Sequence, residues 1–123
     1  MTYTMNTTPV FKAQRRVSNA DYTVVDRSPV CLRAGERVEL GHEDKVWSGW
    51  VWASNAEGRG TYVPVTSLER ISEGEANVVE EFQAVDLSLK KGEEVTALRE
   101  VCGWFWCRNA AGGEGWVPDY VLS

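Results

Sequence analysis

Most of the residues that build reactive centres are scarce in this chain. It has one histidine and three cysteines. A tetrahedral metal site takes four such ligands, and the C-x4-C pair Cys102 and Cys107 has no companion pair, so no metal and no cofactor are expected. A nucleophilic cysteine needs a base beside it, and His42 lies in an acidic loop with Glu43 and Asp44. Carboxylates are abundant, and in such numbers they read as solvated faces; an enzyme is not expected. Gly112-Gly113-Glu114-Gly115 lacks the lysine and the following helix of a phosphate cradle. No run approaches the roughly 20 apolar residues that span a membrane. The opening MTYTMNTTPVFKAQRRVS holds no apolar stretch of the secretory kind, which with the odd cysteine count points to a reduced, cytoplasmic protein. Positive charge is also short, with 13 Lys and Arg against 18 Asp and Glu and a net charge of −5. Affinity for nucleic acid comes mainly from cations on phosphates, so nucleic acid is not the expected partner.

What the chain has is a sentence written twice. Residues 49–64 read GWVWASNAEGRGTYVP and residues 103–118 read GWFWCRNAAGGEGWVP, with 8 of the 16 positions identical. Self-similarity at a fixed offset marks a duplicated folding unit. Six Trp, four Tyr and three Phe, with abundant Val, favour strands.

The strand and turn signals recur in both copies. In the first, Val24 and Val25 open a strand that Ser28-Pro29 breaks, and Arg33-Ala34-Gly35-Glu36 turns into Val38 and Leu40. Trp50–Ser54 follows, then the hairpin signal Asn55-Ala56-Glu57-Gly58, Tyr62-Val63-Pro64, and Leu68 with Ile71. In the second the series is Val78, Val79 and Phe82; Lys90-Lys91-Gly92-Glu93; Val95 and Leu98; Trp104–Arg108; Trp116-Val117-Pro118; Leu122. Gly35 and Gly92 are 57 apart while the Gly-Trp pairs are 54 apart, so the first copy carries three extra residues in the loop before Gly49. The division that follows is a basic tail at 1–19 (Lys12, Arg15, Arg16 and no acid), a first unit at 20–71, a linker at 72–75 and a second unit at 76–123. The tail is expected to be unstructured, or to lie on the first unit.

The ordered set of Leu87 and Leu89 before Lys-Lys-Gly-Glu, Gly-Trp-x-x-small, a Gly-containing hairpin and aromatic-Val-Pro resembles the Src homology 3 (SH3) domain, twice over, across residues 20–123. It is similar to the small tandem SH3 proteins of bacteria. The resemblance implies an all-β chain of two tandem five-stranded small β-barrels on a short linker, acting as a non-catalytic adaptor. It further implies ligand-binding positions: the groove aromatics Trp50 and Trp104, the flanking Tyr62 and Trp116, and the floor prolines Pro64 and Pro118. Rim acids would be Glu43 and Asp44 in the first unit, and Glu80, Glu81, Asp86 and Glu100 in the second. The chain departs from the family where a Tyr follows that Pro, having Ser67 and Val121 instead, so two slot walls for a proline helix are missing.

Alternation along the strands adds an independent expectation. Positions i and i+2 share a face, so Val51 and Ala53, like Phe105 and Cys107, should point inward, leaving Trp50, Trp52, Trp104 and Trp106 outside. That much exposed aromatic surface asks for a partner. Trp50 and Trp104 are expected to bind, with Trp52 and Trp106 structural. The expected partner is a protein or peptide, with a basic segment matching the acidic rim. Two other roles fit the same pattern: an assembly subunit whose aromatic face is permanently covered, and an aromatic cage for a small cationic ligand or a modified lysine.

Overall fold

A computed structural model describes residues 11–24 and 29–123. Eleven strands form among them: β1 (Gln14–Val17), β2 (Cys31–Leu32), β3 (Arg37–Glu43), β4 (Trp50–Ser54), β5 (Gly60–Pro64), β6 (Leu68–Ser72), β7 (Glu75–Val78), β8 (Phe82–Gln83), β9 (Glu94–Val101), β10 (Trp104–Asn109) and β11 (Glu114–Pro118). Single 3-10 turns at Val65–Ser67 and Asp119–Val121 follow β5 and β11. The described chain is all-β, and no helix in it is long and apolar enough to cross a membrane.

The strands pair in a five-stranded sheet of order β5-β4-β3-β7-β6, a four-stranded sheet of order β1-β9-β10-β11, and the ribbon β2-β8. Neither larger sheet closes on itself, so the pairing does not form the two five-stranded barrels expected from the resemblance. The expected inward residues do face inward: Val51, Ala53, Phe105 and Cys107 are all buried. One core gathers Val30, Leu32, Val38, Val51, Ala53, Val63, Ala76 and Val78 with Trp50, Phe82 and Trp116; the other gathers Leu87, Leu89, Val95, Ala97, Phe105, Cys107, Val117, Val121 and Leu122.

Matching turns set the register in both halves. Asn55 Oδ1 accepts the N–H groups of Glu57 and Arg59, and Asn109 Oδ1 accepts that of Gly113. β9 and β10 are joined by Cys102 and Gly103, both at positive φ (44° and 92°), the combination that a two-residue primed hairpin turn demands.

The sheets do not respect the boundaries drawn from the sequence. Residues 72–75, expected as a linker, are the β6–β7 hairpin, with Ser72 opposite Glu75 and Leu40 donating to Gly74 O. A short Glu-Gly stretch serves a hairpin as readily as a linker. β7, placed by sequence at the head of the second unit, pairs with β3 and β6 of the first. The tail is no tail: β1 lies antiparallel on β9, in the second half rather than the first. Tyr22 likewise bridges to Leu89, as Phe82 pairs with Leu32. The opening strand expected at Val24 and Val25 is absent at Val24, whose N–H instead meets Ser88 Oγ at 2.9 Å; Val25 and the Ser28 side of the expected turn lie outside the described residues.

β1 was invisible to hydrophobic patterning because its inward position is Arg16. That side chain lays its guanidinium 4.9 Å from the centre of the Phe105 ring and donates Nε–H to Ser123 O. Its stem covers apolar surface while its head stays wet, as long cationic side chains do.

Candidate functional site

The first copy's extra loop residues and the second copy's tight turn bring the two halves together. Asp44 Oδ1 accepts the N–H groups of Val46 (2.8 Å) and Trp47 (3.1 Å), folding the loop so that Trp47 reaches the second half. There its ring stacks on Tyr120 (6.3 Å, 14° between planes) and meets Trp104 edge-on (5.6 Å). It also covers Gly103, where an added Cβ would come within 2.5 Å of the Trp47 ring. In return Trp50 sends its indole N–H to Cys102 O (3.1 Å).

Between these elements lies a cleft of about 330 Å³, lined by Asp44, Trp47, Trp50, Trp52, Gly60, Thr61, Tyr62, Phe82, Ala84, Asp86, Trp104 and Trp116. Both halves contribute. Edge-to-face pairs, the arrangement ring quadrupoles favour, run through it: Trp50 on Trp104, Trp116 and Phe82 at 6.2, 6.0 and 5.8 Å, and Trp52 on Tyr62 at 5.2 Å.

The expected site residues fall into three groups. Trp104, Tyr62, Asp44 and Asp86 line the cleft with their side chains half-buried or exposed. Trp50 and Trp116 line it too, but as its foundation rather than its face. They are only 5% and 4% exposed, and their N–H groups are held by Cys102 O and Gln83 O. The expectation that Trp50 stands free to bind is therefore corrected: the neighbouring half buries it. Pro64 and Pro118, expected as its floor, are fully buried and do not line it. Glu43 and Glu100 sit on exposed strand positions opposite Val51 and Phe105 and do not reach the cleft. Glu80 is ion-paired with Arg99.

Trp52 and Trp106, expected as structural, are half-buried. Trp52 forms one cleft wall, lying over Gly60, where an added Cβ would approach its ring to 2.6 Å. Trp106 donates Nε1–H to Glu114 Oε1 (3.0 Å) beside a second hollow of about 250 Å³ that shares Phe82 and Trp116 with the first and also holds Glu81, Gln83 and Arg99. The bond from Trp106, then that from Arg108, holds the Glu114 carboxyl below its ordinary range. Sequence reasoning missed Trp47 altogether. Its signal was the three-residue surplus in the loop that carries it.

Two further groups are shifted by burial. Burial pushes the Cys107 thiol up to about 11, Arg16 opposing weakly. Burial, then the Asp86 charge, raises the Tyr22 phenol. No cysteine is paired, and among the described residues no three of His, Cys, Asp and Glu gather as a metal site.

Residues 60–123 match the family described as the variant SH3 domain, over more than half of the 123-residue chain. The chain belongs to the variant SH3 domain family. That family consists of protein-interaction modules that are generally non-catalytic. The matched span runs from β5 to the C-terminus and so crosses both sheets. No curated protein matches the chain.

Proposed function

We propose that this protein is a non-catalytic adaptor that takes a peptide segment of a partner protein into the aromatic, acid-rimmed cleft between two SH3-type units. The observation that carries this reading is the cleft itself: seven aromatic side chains and two aspartates drawn from both halves. Ligand sites favour concave, apolar walls with a few polar groups, and carboxylates on the rim favour a basic segment.

In this reading both halves are SH3-type units in the tandem arrangement of the bacterial proteins, and their opening strands are exchanged. The first unit then comprises residues 29–84 and the second combines residues 11–24 with 85–123. The recurrence of register supports it, Val38 and Val95 facing Ala76 and Arg16 in turn. The three unpaired thiols suit a cytoplasmic setting. A permanently covered assembly face has less to recommend it, because Trp50 and Trp116 are already covered by the chain's own second half and by Phe82.

A random peptide library displayed on phage and panned against the full chain tests the function. Enriched peptides that bind the wild type and are lost by a folded Trp104→Leu variant support it. Peptides that bind both alike contradict it.

A further inference from the structure

We propose that the cleft is a cage for a methylated ammonium group, the head of a methylated lysine carried on an extended peptide. This rests on the reading that the cleft is the recognition site. Its walls are aromatic, and among the described residues no Lys, Arg or His lines it. Ring faces of Trp and Tyr attract cations, and Asp44 and Asp86 add negative charge at the rim.

The choice among cations follows from the supply of hydrogen-bond acceptors. Asp44 Oδ1 already takes two backbone N–H groups, and the Tyr62 hydroxyl is bonded to His42 Nε2 at 2.6 Å. The six tryptophan and phenylalanine rings lining the cleft offer π faces and no lone pairs. A guanidinium would bring five N–H donors and a primary ammonium three, and a donor left unsatisfied on burial is costly. A trimethylated ammonium brings none. Acceptors are thus confined to the two aspartates and Thr61, while the rings offer none, so a head seated against the aromatic wall is favoured when it carries no N–H donors.

Size and continuity point to a side chain rather than a large flat ligand. About 330 Å³ lies at the small end of ligand cavities. The adjoining hollow, with Glu81, Glu114 and Arg99, gives the flanking peptide a polar path.

The test uses the full chain and short synthetic peptides with one central lysine flanked by alanine and serine. The lysine is unmodified, trimethylated, replaced by arginine, or replaced by the neutral carbon isostere of trimethyllysine. Free choline is a further arm, and calorimetry with intrinsic tryptophan fluorescence reads binding. The trimethylated peptide is expected to bind at least about tenfold more tightly than the other three, a difference of about 1.4 kcal/mol, and more tightly than choline. Trp47→Leu, in a surface loop, and Trp104→Leu should each remove most of that preference while circular dichroism stays unchanged. Equal binding of the neutral isostere would show an apolar hole and overturn the proposal, as would equal binding of the lysine or arginine peptide. Choline binding more tightly than the peptide would overturn the peptide source. If display peptides without methyllysine occupy the cleft while these arms fail, the recognition site stands and the cage falls.

Discussion

Ser18 and Val78 hold the same place in two different sheets. Each donates its N–H to the residue after a turn glycine (Glu93 O and Glu36 O) and accepts from the glycine itself (Gly92 and Gly35), all four bonds at 2.8 Å. Each also faces the leucine that follows a 3-10 turn, Ser18 bridging to Leu122 and Val78 opposite Leu68. The turn glycine that follows Ser18 in sequence is Gly35, yet Ser18 serves Gly92; Val78 precedes Gly92 and serves Gly35. In the tandem arrangement proposed above, the two opening strands have traded places, as elements do in strand-swapped assemblies, here within one chain.

Removing residues 1–19 should therefore damage the half farthest from them in sequence. The deletion strips β1 from β9, takes Phe11 off Phe105 (6.3 Å between rings) and removes the Ser18 bonds. At about 1 kcal/mol net per hydrogen bond, the four backbone bonds of Val17, Ser18 and Asn19 outside the β1–β9 ladder alone put the loss expected in urea denaturation at about 4 kcal/mol or more. An unchanged midpoint would mean that β1 is a decoration.

Trp50→Ala and Trp104→Ala should part company. Trp50 is buried in the first core with its N–H bonded, so its truncation should cost about 3–5 kcal/mol. Trp104 is half-buried at the cleft, and its loss should cost less while removing ligand affinity. Equal destabilisation by both would place them in the same structural role.

How far the sequence could be read is clearest at five residues. Val51 and Cys107 announced their inward facing through strict alternation, and the hairpins through Asn-x-x-Gly signals, because strand period and turn chemistry are local. Arg16 concealed a strand, since its order comes from backbone bonds to β9 and not from an apolar pattern. Trp50 read as an exposed groove residue because the exposure of one unit's face depends on how the other unit packs against it. Trp47 belonged to the cleft only through the extra loop residues, whose destination no local rule specifies.

The thiols should separate by burial. Cys31 and Cys102 are exposed and Cys107 is buried, so iodoacetamide at neutral pH should modify two sites quickly and the third only after unfolding, as peptide mass spectrometry reads. The folded-state pKa of Cys107 is raised from 9.0 to about 11. Its contribution is whole below pH 9 and is lost as the pH climbs toward 11; Tyr22, also raised, acts in the same sense. Cys107→Ala should flatten the alkaline limb of the stability profile between pH 9 and 11. An identical limb in the variant would contradict the assignment.

Gly103→Ala tests how Trp47 is seated. The glycine has φ of 92°, and its Cβ would fall within 2.5 Å of the Trp47 ring. A backbone penalty of about 1 kcal/mol and expulsion of Trp47 from the cleft are expected, seen as lower stability and a shift in tryptophan emission. Unaltered emission and stability would mean that Trp47 does not rest there.

The most direct test of the cleft as the recognition site is the set of six tryptophan indole N–H resonances in a ¹⁵N-labelled chain, followed while a display-selected peptide is added. The N–H groups of Trp50 and Trp116 are held by backbone carbonyls, whereas Trp47, Trp52 and Trp104 face the cleft. The account predicts large shifts for those three and small ones for Trp50 and Trp116. A peptide that binds while leaving Trp47, Trp52 and Trp104 unmoved would contradict it.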